Sequence, residues 1–125
     1  MCDSNHVRRV LIVDDERLIS ETLALILSKH GYAAKPACGG EEAVDLARSF
    51  EPDLLIADVV MSGMTGIEAA CEILTFLPSC KVILFSGQAG TLELLRDCQR
   101  RTHNFEIIQK PVSPETLLER ISRLA

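Results

Sequence analysis

The sequence has no long apolar run, and no stretch approaches the roughly 20 residues that a membrane-spanning helix needs. Its first ten residues, MCDSNHVRRV, are polar and charged, so they lack the apolar segment of a secretory signal peptide. Basic residues are not in excess either, since 13 Lys and Arg stand against 18 Asp and Glu, a net charge of -5. Broad attraction to nucleic acid needs a basic surface. These absences predict a cytoplasmic protein that binds neither membranes nor nucleic acid directly.

Cysteine pairs of the metal-binding or redox kind are also missing. The 5 cysteines are odd in number, and none forms a CxxC pair. Because most of them fall in apolar segments, they are predicted to be small buried side chains in a reducing compartment. No linker, repeat or low-complexity segment divides the 125 residues. The chain is therefore expected to form a single domain, residues 1–125.

Short apolar runs alternate with amphipathic segments along the whole chain. The first run, VLIV, is apolar at every position, which is typical of a strand covered by helices on both faces. Five such runs predict strands: 10–13, 32–37, 54–57, 81–85 and 105–109. Each is followed by a segment whose apolar residues recur at helical spacing.

The amphipathic segments predict five helices. The first covers 16–29, and Gly31 is expected to end it. The apolar stripe of this helix is Ile19, Leu23, Ile26 and Leu27. Further helices are predicted after Gly40, after Gly66 and over 91–101. A last one begins at Pro114, which is favoured at the first helical position, with Ser113 as the cap.

Five strand-helix units in this order predict an α/β fold. Right-handed crossovers give a doubly wound parallel sheet with helices on both faces. For five strands, the order 2-1-3-4-5 fits better than the six-stranded alternative. In that order strands one and three are neighbours, so the residues that follow them are brought side by side.

Charged and polar residues occur where the predicted strands end. Asp14 and Asp15 follow VLIV, Asp58 follows LLIA, Ser86 closes VILFS, and Lys110 follows the last strand. The carboxyl ends of parallel strands meet at one edge of a sheet, where ligands bind. Carboxylates without histidine or cysteine favour Mg²⁺ over Zn²⁺. A charged site that holds Mg²⁺ is therefore predicted at this edge.

Each of these residues also has an ordinary interpretation when it is taken alone. Asp14 and Asp15 could complement the dipole of the following helix, and Asp58 could begin a turn. Ser86 could be a plain loop serine, and Lys110 a solvated charge. The conjunction of these residues at one edge is what makes the pattern specific.

Together these residues resemble the receiver domain of two-component response regulators, of the chemotaxis-type single-domain kind. The resemblance extends over residues 7–124 and implies a flavodoxin-like fold. It implies that Asp58 accepts a phosphoryl group, and that Ser86 and Lys110 complete the catalytic set. It also implies that Mg²⁺ is held by Asp14, Asp15, Asp58 and the backbone carbonyl of Val60.

The resemblance implies a signalling role in a phosphorelay. The phosphoryl donor would be a sensor histidine kinase or a histidine phosphotransfer protein. The domain would not be an enzyme beyond its own phosphorylation and dephosphorylation, and it would be a monomer or a phosphorylation-dependent dimer. Phosphorylation is expected to move the loop at 86–90 and to switch the surface around the helix at 91–101, where a target protein would bind.

Two positions depart from the family pattern. Ser62 stands where the family usually has proline, and Ile107 stands where it commonly has tyrosine or phenylalanine. The structural response to phosphorylation is therefore expected to differ from that of most family members.

Two alternative functions remain open. One is a Mg²⁺-dependent aspartyl-phosphate hydrolase, for which the sequence has no cap-like insertion, and the other is a pseudo-receiver that binds a partner without being phosphorylated.

Overall fold

The computed structural model describes residues 8–59, 61, 63–86, 106–109 and 113–124. In chain order, the described elements are β1 (Arg9–Val13), α1 (Arg17–Lys29), β2 (Ala33–Ala37), α2 (Gly40–Phe50), β3 (Leu54–Asp58), α3 (Gly66–Phe76), β4 (Lys81–Ser86), β5 (Glu106–Gln109) and α4 (Pro114–Leu124). The helix predicted over 91–101 lies outside the described residues. Every described helix falls short of the length and hydropathy that a bilayer crossing requires.

The five strands form one parallel sheet in the order β2-β1-β3-β4-β5. The predicted α/β class, the doubly wound topology and the strand order are confirmed. β3 occupies the centre of the sheet, and all five of its residues are buried. β2 lies at one margin, where Pro36 is paired in register with Ile12 of β1.

Helices cover both faces of the sheet, and each face has its own apolar cluster. On the α2–α3 face, Leu11 and Val13 of β1 are buried with side chains from β3, β4, α2 and α3. On the α1–α4 face, Val10 and Ile12 are buried with side chains from β3, β4, β5, α1 and α4. Successive strand residues point to opposite faces. A strand covered on both sides must therefore be apolar at every position, as β1 is.

The buried face of α1 differs from the predicted stripe. The fully buried residues are Ser20, Ala24 and Leu27, whereas Ile19, Leu23 and Ile26 are only half-buried. The predicted stripe is confirmed for Leu27, and Leu23 packs against the same cluster, but the prediction left out Ala24 and, because it followed apolar character, Ser20. The hydroxyl of Ser20 donates to the carbonyl oxygen of Arg17 at 3.1 Å, which satisfies this group inside the core.

The predicted ends of two helices are confirmed. α1 ends at Lys29, and Gly31 follows with φ of +94°, a left-handed conformation that glycine adopts readily. At α4, the backbone N–H of Thr116 donates to the Ser113 hydroxyl oxygen at 3.2 Å, so Ser113 is the cap.

At the edge where the strands begin, which we call the amino edge, Asp53 joins two strands. One of its carboxylate oxygens, Oδ2, accepts the backbone N–H groups of Arg8 at 3.0 Å and Arg9 at 2.9 Å. The chain entering β1 is thereby tied to the residue that precedes β3. Asp53 was not singled out from the sequence.

The cysteines differ in burial more than the sequence predicts. Cys80 is buried at the start of β4, and burial, with a smaller contribution from the Asp53 carboxylate, raises the pKa of its thiol to about 12. Cys38 and Cys71 are only half-buried, which corrects the expectation for them, and no disulfide involves these three described cysteines. Cys2 and Cys98 lie outside the described residues.

Candidate functional site

Asp14 lies immediately beyond β1 and is held by the backbone around it. Its N–H donates to the carbonyl oxygen of Ala37 at 3.1 Å, so the pairing with β2 continues one residue past the strand. Its side-chain Oδ1 accepts the N–H of Glu16 at 2.9 Å. The residue is only 2% exposed. Asp14 is therefore a buried carboxylate of restricted orientation, whereas the next residue, Asp15, is exposed.

Asp58 is the last residue of the central strand β3 and is 9% exposed. The register between β1 and β3 pairs Val13 with Ala57. The next residues along these two strands are Asp14 and Asp58, so they leave the sheet side by side. Neighbouring strands lie about 4.8 Å apart. The sequence prediction that distant acids are brought to one edge holds for this pair, and we call this edge the carboxyl edge.

The segment after Asp58 is anchored at both ends. The N–H of Val59 donates to the carbonyl oxygen of Phe85 at 3.0 Å, which extends the pairing of β3 with β4. The N–H of Gly66, the first residue of α3, donates back to the carbonyl oxygen of Val59 at 3.2 Å. Val60, whose carbonyl was predicted to be a metal ligand, lies outside the described residues.

A capping box fixes the start of α3. The Thr65 hydroxyl accepts the N–H of Glu68 at 3.1 Å, and the Glu68 carboxylate accepts the N–H of Thr65 at 2.9 Å. This reciprocal pair satisfies two backbone donors at the helix terminus. Reasoning from the sequence missed it, although the spacing Thr-x-x-Glu is a readable signal of a helix start.

Of the two other predicted site residues, the structure describes the backbone of Ser86. Ser86 is the last residue of β4 and is paired with Gln109 of β5. Because Asp58 is paired with Phe85, Ser86 lies one position beyond Asp58 on the adjacent strand. Lys110 follows Gln109 directly in the sequence and lies outside the described residues.

The donor set at the carboxyl edge fits a hard divalent cation. The acids Asp14, Asp15 and Asp58 offer only oxygen, although the half-buried Cys38 follows β2 at the same edge. In the part of the chain that is described, no group of three or more His, Cys, Asp and Glu side chains is arranged to hold a metal ion. A Mg²⁺ site needs fewer, because one or two carboxylates, water and a substrate phosphate complete its coordination.

Carboxylates gathered in this way repel one another, and two of them are removed from most of the solvent. A buried anion is stable only when it is paired, hydrogen-bonded or coordinated to a cation. A carboxylate can also act as a nucleophile toward a phosphoryl group, provided that positive charge compensates the approach of two anions. The arrangement is thus suited to phosphoryl chemistry assisted by a cation.

Comparisons with known proteins agree with this assessment. Residues 10–122 match the sequence model of a family described as response regulator receiver domain. The chain is 32% identical to the chemotaxis protein CheY of Thermotoga maritima over 119 residues, which covers 94% of this chain and 98% of that protein. The predicted resemblance to a receiver domain is therefore confirmed.

Solved structures give the same result at the level of the backbone. The chemotaxis protein CheY4 of Vibrio cholerae superposes with a TM-score of 0.84 at 26% identity, covering 95% of this chain and 99% of that one. The response regulator TrrA of Thermotoga maritima, solved in complex with Mg²⁺-BeF, superposes with a TM-score of 0.79 at 32% identity. That comparison covers 94% of this chain and 99% of TrrA.

Proposed function

Because this chain belongs to the response regulator receiver domain family, and is thus a signalling domain of two-component phosphorelays, we propose that Asp58 is its phosphoacceptor. One observation carries the proposal: Asp58 ends the central strand in register beside Asp14 and is largely buried. A nucleophilic carboxylate needs a fixed position and a nearby cation site, and the place of Asp58 beside Asp14 supports this role.

The proposed reaction is transfer of a phosphoryl group from a phosphohistidine. A carboxylate oxygen of Asp58 forms a bond to phosphorus while the bond between phosphorus and the imidazole nitrogen breaks. The bonding electron pair stays with the imidazole of the partner, and the product on this chain is an aspartyl phosphate. The donor is a sensor histidine kinase or a histidine phosphotransfer protein. Hydrolysis later returns Asp58 to its free carboxylate.

The cation proposed for this site is Mg²⁺, held by Asp14, Asp15, Asp58 and the carbonyl oxygen of Val60. When bound, Mg²⁺ neutralises the charge of the phosphoryl oxygens and of the attacking carboxylate. Asp14 is oriented for this role by the N–H of Glu16. Lys110 is proposed to pair with the phosphoryl oxygens, and the hydroxyl of Ser86 to donate a hydrogen bond to them.

The signal is proposed to leave the domain through a surface that changes on phosphorylation. The segment at 86–90 and the helix predicted at 91–101 are the proposed route to a downstream protein in the cytoplasm, with the domain a monomer or a phosphorylation-dependent dimer. Ile107 supports a readout unlike the usual one, because it is an aliphatic β5 residue, half-buried against the α2–α3 face. An aliphatic side chain cannot donate the hydrogen bond that a tyrosine at this position would.

The test uses acetyl phosphate as donor and intact mass as the measurement. We expect the wild-type chain with Mg²⁺ to gain one acid-labile phosphate of about 80 Da, and the same sample with excess chelator to gain none. The Asp58→Asn variant should gain none under either condition.

Other outcomes would identify the alternatives. If the wild-type chain gains no phosphate while it still binds a partner, the pseudo-receiver interpretation is favoured. Sustained release of phosphate from small phosphate esters, lost in Asp58→Asn, would favour the hydrolase. Phosphate on a residue other than Asp58 would contradict the assignment of the phosphoacceptor.

A further inference from the structure

Gly66 begins α3 in unusually close contact with the backbone of Asp58. A Cβ atom placed on Gly66 would lie nearer to the carbonyl oxygen of Asp58 than the 3.0 Å limit that real Cβ atoms respect. It would also lie 2.9 Å from the carbonyl carbon of Asp58 and 3.2 Å from the Cβ of Ala57. The closest conflicting atoms therefore belong to the backbone, which cannot relieve the contact by a change of rotamer.

Neither side of this contact is loosely held. β3 is paired on one side with β1 and on the other with β4, so the Asp58 peptide is confined by the centre of the sheet. α3 is confined by the capping box at Thr65 and by its buried face, which includes Ile67, Ala70 and Ile73. A side chain at position 66 would force one of these two elements to shift.

Any such shift would be transmitted to the site. Only residues 59–65 separate Asp58 from Gly66, and both ends of this segment are hydrogen-bonded. If α3 moves outward, it pulls on this segment, which contains the proposed carbonyl ligand at Val60. If the Asp58 peptide moves instead, the carboxylate changes its position relative to Asp14.

We propose that Gly66 is a positioning residue for phosphoryl transfer: the absence of a Cβ lets α3 seat against the Asp58 peptide and fixes the carboxylate. This inference rests on the proposed role of Asp58. Gly66 does not touch the reacting atoms. Its contribution is the distance between the phosphoacceptor strand and the helix that follows it.

The experiment compares two glycine-to-alanine substitutions at helix starts. Gly66→Ala introduces the backbone conflict. Gly39→Ala is the matched control, because Gly39 caps α2 with extended backbone (φ of −169°) and a Cβ there meets nothing within 4 Å. Both variants lose a glycine at a helix terminus, but only Gly66→Ala places a Cβ atom against the backbone of Asp58.

The rate of phosphorylation by acetyl phosphate is measured against Mg²⁺ concentration, at a temperature where circular dichroism shows each protein folded. For Gly66→Ala we expect the saturating rate to fall at least about tenfold and the half-saturating Mg²⁺ concentration to rise, because misplacement of a reacting group by about 1 Å can cost about a hundredfold in rate. Gly39→Ala should stay within about twofold of the wild type. Gly66→Ser should match Gly66→Ala, since the conflict arises at Cβ.

The outcomes separate this inference from the proposed function. Equal rates per folded molecule for Gly66→Ala and the wild type, even with a lowered Tm, would overturn the positioning role and leave Asp58 as phosphoacceptor. A wild type that takes up no phosphate would overturn the proposed function itself. If Gly66→Ala does not fold in buffer, all the proteins are compared in trimethylamine N-oxide, which strengthens burial, and the same criteria apply.

Discussion

β3 has an aspartate at each end, and the two side chains serve the molecule differently. Asp53, before the strand, is half-buried, and its Oδ2 accepts the backbone N–H groups of Arg8 and Arg9. Asp58, which ends the strand, is 9% exposed and lies in register beside Asp14. One carboxylate lies at the amino edge among backbone donors, and the other lies at the carboxyl edge among acids.

The difference shows that position in the sheet decides the surroundings of an aspartate. A carboxylate that accepts backbone N–H groups contributes its charge to the stability of the fold. A carboxylate placed next to another acid experiences like-charge repulsion, which lowers its contribution to stability, and the proposed Mg²⁺ would offset this repulsion. The two ends of β3 therefore predict opposite consequences of the same substitution.

The largest expected effect is on phosphate uptake, where the two aspartates should differ completely. Asp58→Asn should abolish the gain of an acid-labile phosphate from acetyl phosphate, because the amide is not a nucleophile. Asp53→Asn should keep the rate within about twofold, since it lies at the opposite edge of the sheet. The measurement is intact mass over time with saturating Mg²⁺. A loss of uptake in Asp53→Asn, with the fold intact, would remove the distinction between the two edges.

The next effect is on stability, and here the ranking should be reversed. Asp53→Ala removes the acceptor of two N–H groups and is expected to lower the free energy of unfolding by about 2 kcal/mol. Asp58→Ala removes a carboxylate beside that of Asp14, and because the repulsion between these like charges is lost as well, we expect a smaller loss than for Asp53→Ala. Urea denaturation without Mg²⁺ at pH 7 measures both. An equal loss in the two variants would contradict the proposed division of roles.

The free energy of unfolding should also fall at alkaline pH because of Cys80, which lies at the amino edge. Burial raises the pKa of this thiol to about 12, whereas in the unfolded chain it titrates near its ordinary value. Between these two values the unfolded state loses a proton that the folded state keeps, so stability falls as pH rises. The contribution is fully present below about pH 9, and we expect a loss of about 2 kcal/mol between pH 8 and pH 10.5.

The variant Cys80→Ala isolates this contribution. Its unfolding free energy is measured beside the wild type in a reductant at both pH values. All other titrating groups are shared, so the wild type should lose about 2 kcal/mol more than Cys80→Ala as the pH rises from 8 to 10.5. Parallel pH profiles would show that the thiol is not held protonated by the fold.

The smallest expected effect lies at the helix that follows Asp58. Thr65→Ala removes the hydroxyl that accepts the N–H of Glu68, and this should lower the free energy of unfolding by about 1 kcal/mol. Thr65→Ser keeps the hydroxyl, and Ser caps helices at least as well as Thr, so the free energy of unfolding should stay within about 0.5 kcal/mol of the wild type. Urea denaturation of the wild type and the two variants measures how much the helix cap at the carboxyl edge stabilises the fold, independently of the acidic residues there. A Ser variant as unstable as the Ala variant would show that the cap is not the cause.

The sheet could be predicted because the same sequence pattern, an apolar run followed by an amphipathic segment, occurs five times. Five apolar runs separated by amphipathic segments leave few topologies that satisfy short right-handed crossovers, and the residues after β1 and β3 then become neighbours without further information. The burial of Ser20 in α1 could not be predicted from hydropathy. Ser20 enters the core because its hydroxyl finds the Arg17 carbonyl one turn back, a local bond that apolar periodicity does not contain.

The candidate site was predictable in part for the same reason. Asp14 and Asp58 follow strands, so topology alone brings them to one edge. The contact of Gly66 with the Asp58 backbone depends instead on how closely α3 approaches β3. That distance is set by the packing of the helix on the sheet, which the sequence pattern does not give. Asp53 escaped notice because a lone aspartate before a strand has no sequence signature for the N–H groups that it accepts. The contributions of Ser86, Lys110 and Val60 stay predictions.

Pro36 has a consequence for how the molecule behaves in a crowded solution. The N–H of Ala33 donates to the carbonyl oxygen of Arg8, so by strand alternation the nitrogen of residue 36 faces away from β1, toward the outer side of β2. Proline leaves the sheet intact there and removes a donor that another chain's strand would need. The margin formed by β2 is therefore a poor template for growth of the sheet, which protects the folded domain against fibrillar aggregation along that side.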